Sequence, residues 1–293
     1  MVVDVNDYRA PTRGGTIAYR VQGSAGPAVL LLAGGDGDID RQQPLASLLA
    51  EHHRVITHDR RGLSASTADP DGSTMSTHAC DLIAVLRHAR RAGHVCGAVS
   101  VFGTSTGGLL ALQLAAGGLV GGGLVVHEAF LPALVEPDDV DDALDQVQHI
   151  AAQGDIGTAM RLLARLVGYG DGHVGDAEPP IPAAVRAGVD RQRNMVQFLG
   201  PDLTSMRRHP LSRATLAAVP TAALTLAAAT DTTGRYDHRC MIALARLTGC
   251  RLQLWPGGHS APSTHPRATA DRIRHALAGS PDHRTNVVVA TAG

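Results

Sequence analysis

"SVFGTSTGGLLAL", residues Ser100 to Leu112, decides how the rest of the chain is read. A short apolar run leads into Ser105, which lies between Gly103 and Gly107, and a leucine- and alanine-rich stretch follows with helical spacing. The pattern G-x-S-x-G is weak by itself. With 33 glycines and 13 serines in 293 residues, chance supplies roughly 0.16 such pentapeptides per chain. Context carries more weight. A strand that ends in a tight turn and restarts as a helix exposes the residue at its corner, and glycines on both sides relieve a turn where side chains would collide.

Working outward, short β-type runs alternate with helical segments. "GTIAYRVQG" (Gly15 to Gly23) alternates and stops on glycine, and "PAVLLLAGG" (Pro27 to Gly35) is a continuous apolar run of the kind buried on both faces of a sheet. "HRVITHD" (His53 to Asp59), "GAVSVFG" (Gly97 to Gly103), "GGLVVHEA" (Gly122 to Ala129), "TAALTLAAAT" (Thr221 to Thr230) and "CRLQLWPG" (Cys250 to Gly257) read as further strands. Helical spacing appears in Gln43 to His52 and in Met75 to Gly93, the latter with Ser76 as its expected cap. Strands separated by helices imply right-handed crossovers, and therefore a mostly parallel, twisted sheet flanked by helices. The class is α/β.

Between about Phe130 and Pro220 the alternation stops. "VDDALDQVQHIAA", "IGTAMRLLARLVG", "PAAVRAGVDRQRNMVQFL" and "SMRRHPLSRATLAAV" are helical, with joints containing Pro and Gly. The expected organisation is a core of residues 1–130 and 220–280, an all-helical cap of residues 131–219, and a loose tail over 281–293.

Composition narrows the function classes. Hydrophobic residues make up 44% and the formal net charge is −1, so no electrostatic footprint for nucleic acid or an anionic membrane is expected. No run approaches the roughly 18 apolar residues of a membrane span. The start lacks an apolar signal region, and Cys80, Cys96, Cys240 and Cys250 are scattered, which suits reduced thiols and a cytoplasmic location. The fifteen histidines show no H-E-x-x-H or finger-type spacing, so no metal is expected.

In this context the chain resembles the α/β-hydrolase family over nearly its whole length. "LLLAGGDGD" resembles that family's oxyanion loop, "HDRRGLSAS" its D-x-R-G-x-S-x-S turn, "LAAATD" places Asp231 just past a strand, and "WPGGHSAP" places His259 past the last one. The resemblance implies a cofactor-independent serine hydrolase with an inserted cap. Ser105 is its nucleophile, His259 its base and Asp231 its acid, in the family's chain order. The backbone amides of Gly35 and Thr106 would form the oxyanion hole. Two other carboxylates compete with Asp231: Glu128, where some relatives place their acid, and Asp237 in "GRYDH".

The loop departs from many relatives in having Ala33-Gly34 where they carry His-Gly, and Asp36 beside the hole is expected to face solvent, the cap or a substrate group. His127 and Glu128, at a strand's carboxyl end, are candidates for the pocket. So are Met160, Leu163, Met195 and Phe198 in the cap. The implied substrate is an ester, lactone or thioester of a small, mainly apolar molecule. Carbon–carbon bond hydrolysis, cofactor-free oxygenation and ligand binding without turnover remain as alternatives on the same fold.

Overall fold

The protein's structure is a computed structural model that describes residues 5–35, 37–135, 139–168, 177–183, 186–209 and 211–279. Along the chain run β1 (Val5–Thr12), β2 (Gly15–Gln22), β3 (Ala28–Leu32), α1 (Ile39–Leu49), β4 (Arg54–His58), α2 (Met75–Arg91), β5 (Val99–Thr104), α3 (Thr106–Ala116) and β6 (Leu124–His127). The helices α4 (Asp139–Ala152), α5 (Ile156–Val167), α6 (Arg191–Gln197), α7 (Leu203–Arg207) and α8 (Arg213–Ala217) follow. The chain then returns through β7 (Leu224–Ala229), α9 (Tyr236–Thr248), β8 (Leu252–Trp255), α10 (Ala261–Thr264) and α11 (Pro266–Ala278).

The eight strands form one sheet in the order β1-β2-β4-β3-β5-β6-β7-β8. β1 and β2 pair antiparallel, as do β2 and β4, and every pairing from β4 to β8 is parallel. Successive side chains of a strand point to opposite faces, and here that alternation divides the core. Ala28, Leu30 and Leu32 of β3 join one apolar cluster, while Val29 and Leu31 join the other. Val101 and Phe102 of β5 divide the same way, as do Val126 and Val125 of β6. Helices cover both faces, as a parallel sheet requires.

Three local features differ from the sequence reading. β1 was not expected, because its residues are mostly exposed and Pro11 interrupts the pattern; as an edge strand it needs neither burial nor a full set of amide donors. α1 begins at Ile39 rather than Gln43, because the Asp38 side chain accepts from the Asp40 N–H and starts the helix one turn before Pro44. The cap of α2 is Thr74, not Ser76: Thr74 and Thr77 bond reciprocally as a capping box.

The helices between β6 and β7 face the carboxyl ends of the strands, and buried ion pairs tie them to the loops there. Arg60, after β4, reaches Asp202 at 2.8 Å, with both side chains 1% exposed. Arg186 pairs with Asp38, Asp40 and Asp59 at 2.6, 2.9 and 2.5 Å. Arg60 also donates to the Gly35 carbonyl, so one guanidinium holds both the loop after β3 and the segment before α7. Residues 281–293, expected to form a loose tail, lie outside the described residues. Among the described residues no helix is long and apolar enough to cross a membrane.

Candidate active site

The turn between β5 and α3 puts Ser105 at φ +54°, ψ −121°, a conformation L-residues rarely adopt. Its neighbours explain why the turn closes. A Cβ on Gly103 would lie 2.2 Å from the Gly107 carbonyl oxygen, and one on Gly107 would lie 2.1 Å from that of Leu32. The Ser105 N–H donates to the His127 carbonyl at 3.1 Å, which fixes the corner against β6. Such backbone strain at a chemically capable side chain is a mark of functional sites.

Glu128 follows β6 in a second non-glycine left-handed turn, φ +44°. Its carboxylate is fully buried and accepts from the Ala229 N–H at 2.9 Å, from the Thr232 hydroxyl, and from His259 Nδ1 at 2.8 Å. Asp237, in the first turn of α9, brings Oδ2 to 3.3 Å from the same Nδ1 and is 1% exposed. Two carboxylates, one from the end of β6 and one from the first turn of α9, therefore converge on one imidazole nitrogen.

Asp231 is not part of this contact, a correction to the sequence reading. It is exposed, its N–H donates to the Gly257 carbonyl, and its carboxylate takes the Thr230 hydroxyl. The 3-10 turn Thr230–Thr232 causes the difference, turning Asp231 outward and Thr232 inward, where Thr232 bonds Glu128.

Burial would raise the Glu128 carboxyl, but the His259 hydrogen bond and the His127 and His259 rings outweigh it and hold Glu128 down at about 2. Asp237 has no hydrogen bond to either oxygen, and burial pushes it up to about 7. For His259, burial opposes the charged ring, while Asp237 and Glu128 favour it and prevail, raising its pKa above the usual histidine value.

Ser105, His259 and Asp237 line one cavity of about 240 Å³. Gly34, Gly35 and Thr104 line it from the strand ends, and Met160, Leu163, Met195, Phe198 and Met206 line it from the helical stretch between β6 and β7. Gly35 has φ +44°, and a Cβ there would meet nothing within 4 Å, so this stretch of loop faces open space. Thr106 begins α3, whose first amides have no partner within the helix. Its hydroxyl donates to the Met206 sulfur at 3.3 Å, while the Thr104 hydroxyl meets His127 Nδ1 at 3.0 Å.

His127 and Glu128, considered as pocket residues from sequence, do not line the cavity. Both are fully buried behind it, with His127 stacked on Trp255. Burial drives His127 down to about 4, so the ring is neutral. Asp36 lies outside the described residues. Among the described residues no group of three or more His, Cys, Asp or Glu is placed to hold a metal ion. The contact of Arg60 with the Gly35 carbonyl was not anticipated. "HDRRGLSAS" contained both arginines, but nothing in the sequence aimed one of them at the loop after β3.

Comparison with known proteins identifies the family to which this fold belongs. A profile of the alpha/beta hydrolase family matches residues 29–272, most of the chain. The chain belongs to the alpha/beta hydrolase family. This hydrolase is 36% identical over 112 residues to the uncharacterized hydrolase YraK of Bacillus subtilis (strain 168), a segment that spans 38% of this chain and 39% of YraK. Its fold is similar to that of a thermophilic esterase from Thermogutta terrifontis, with a TM-score of 0.64 at 20% identity, covering 92% of this chain and 97% of the esterase. It is also similar to the enol-lactonase of Burkholderia xenovorans LB400, with a TM-score of 0.68 at 16% identity, covering 92% and 99%.

Proposed function

We propose that this hydrolase cleaves an ester, lactone or thioester of a small, mainly apolar molecule through an acyl-enzyme on Ser105. One observation carries the reading: Ser105, at a left-handed corner, shares a largely apolar cavity with His259, whose Nδ1 is held by a buried, ionised carboxylate. In this reading Nε2 of His259 accepts the Ser105 proton as Oγ attacks the substrate carbonyl. Glu128 fixes the Nδ1–H tautomer and stabilises the imidazolium that forms.

Negative charge on the carbonyl oxygen would be met by the amides of Gly35 and Thr106. The imidazolium returns its proton to the leaving alcohol or thiol as the acyl bond forms. A water molecule, deprotonated by the same nitrogen, then attacks the acyl-enzyme, releasing the acid and restoring Ser105. Met160, Met195 and Phe198 would contact the acyl portion, which supports an apolar substrate. The esterase and the enol-lactonase of similar fold act on bonds of this type, as their names state.

A fluorophosphonate probe with intact-mass detection tests the assignment on the parent, Ser105→Ala and His259→Ala. One adduct on the parent, none on Ser105→Ala and far slower labelling of His259→Ala are expected. Equal labelling of Ser105→Ala would overturn it.

A further inference from the structure

Two buried carboxylates against a single imidazole nitrogen are more than an ordinary acid–base pair requires. Glu128 fits the role of the permanently charged member. It has three donors, from Ala229, Thr232 and His259, so its ionised form is well solvated by the protein. Asp237 differs. Both of its oxygens lack a hydrogen bond, it is 1% exposed, and it approaches Nδ1 at 3.3 Å while the single Nδ1 proton is engaged by Glu128 at 2.8 Å.

Like charges packed this closely do not both ionise freely. The other titratable groups around Asp237 are Tyr236 and Cys240 on its own helix, both driven up by burial and therefore neutral, with Glu128 from the end of β6 and His259 from the loop after β8.

Building on the triad reading above, we propose that Asp237 is a second acid on His259: a positioning residue that carries its own proton while Glu128 holds Nδ1, and supplies the negative charge when Glu128 is removed. Its pKa near 7 accords with this, since the proton leaves only around neutrality. Once that proton has left, the Asp237 charge favours the protonated His259 ring, alongside the hydrogen bond and the charge of Glu128. The three groups then titrate as one unit, and the acid limb of the activity profile belongs to the trio rather than to the histidine alone.

The test compares the full-length parent with Asp237→Asn, Glu128→Gln and the double variant; Asp237→Ser replaces the asparagine variant if that one does not fold. Heteronuclear NMR titration of the His259 ring is the first readout. Without Asp237 the ring should lose its proton at lower pH, by about half a unit, which raises the neutral fraction near pH 6 about threefold. A purely structural Asp237 would leave the midpoint in place, and an unmoved midpoint overturns the proposal.

The second readout is hydrolysis of a p-nitrophenyl ester. The Asp237 change should cost at least about tenfold in the Glu128→Gln background and less than about threefold in the parent, well outside the near-additivity expected of independent sites. Equal costs in the two backgrounds would also overturn it. If the parent neither hydrolyses the ester nor takes the fluorophosphonate, the hydrolase reading has failed, and the ring titration alone still decides whether Asp237 acts on His259.

Discussion

His259 Nδ1 lies 2.8 Å from Glu128 Oε2, so the imidazole takes its carboxylate from the end of β6 rather than from the turn after β7. The partner that orients the imidazole is thus set by two backbone turns: one at φ +44° that swings Glu128 inward, and one that faces Asp231 to solvent. Replacing Glu128 by Gln is expected to lower kcat by about 10²- to 10³-fold, short of the roughly 10⁴-fold seen when a triad acid without a second carboxylate is neutralised. Asp231→Asn should change kcat less than about twofold, as for an exposed substitution away from the chemistry. Steady-state kinetics on one ester substrate separates the two, and a large loss in Asp231→Asn would contradict the geometry.

The corner at Ser105 depends on missing side chains. Gly107→Ala drives a methyl group into the Leu32 carbonyl, and Gly103→Ala into that of Gly107, both backbone atoms that cannot swing aside. Each change should cost at least about 2 kcal/mol by overpacking. Urea unfolding followed by circular dichroism should show a lower midpoint with an unchanged slope.

Arg60 and Asp202 form a buried pair whose members depend on each other. Burial alone would raise the Asp202 carboxyl, but Arg60 and His78 bring it down to about 2. A lowered carboxylate pKa adds stability at pH values above the unfolded pKa of 3.8, and that stability is lost as pH falls toward 2. Asp202→Asn should therefore destabilise the protein at pH 7 by about 3–5 kcal/mol, because it leaves Arg60 buried without a counter-charge. The deficit relative to the parent should shrink in melts at pH 3 and below. Arg60→Met combined with Asp202→Leu should recover much of the loss.

The apolar side chains from the helices between β6 and β7 should set the acyl range. Met160 is partly buried and lines the cavity, so Met160→Trp places a larger side chain into a space of about 240 Å³. Against a p-nitrophenyl ester series, kcat/KM for hexanoate should fall relative to acetate by about 10- to 100-fold, the range that a few methylenes command in an apolar pocket. An unchanged ratio would mean the acyl chain lies elsewhere.

Much of the frame was readable from residues because burial on both faces leaves a strong mark. The continuous apolar run in β3 and the glycine pair around Ser105 each allow few conformations. Met160, Leu163, Met195 and Phe198 could be placed on the cap side, and all four line the cavity. The acid was not legible. Glu128, Asp231 and Asp237 all follow strands β6 or β7, and the choice between them depends on which way short turns aim their side chains. The same is true of Arg186, whose three carboxylate partners lie more than 120 positions away in sequence. Long-range pairing of this kind has no periodicity to betray it.

Arg186 also has a consequence for traffic through the molecule. Lifting the segment that carries it would strand Asp59 and leave Asp38 and Asp40 to Arg191 alone on that side, all three nearly inaccessible to water, so this edge behaves as a riveted seam. Among the cavity's lining residues, Arg41 of α1 and Ser263 of α10 are the ones exposed at the surface, so the cavity meets solvent there, one position along from the Asp40 end of the seam. A hinge in this molecule would have to lie away from that seam, where no buried carboxylate loses its counter-charge.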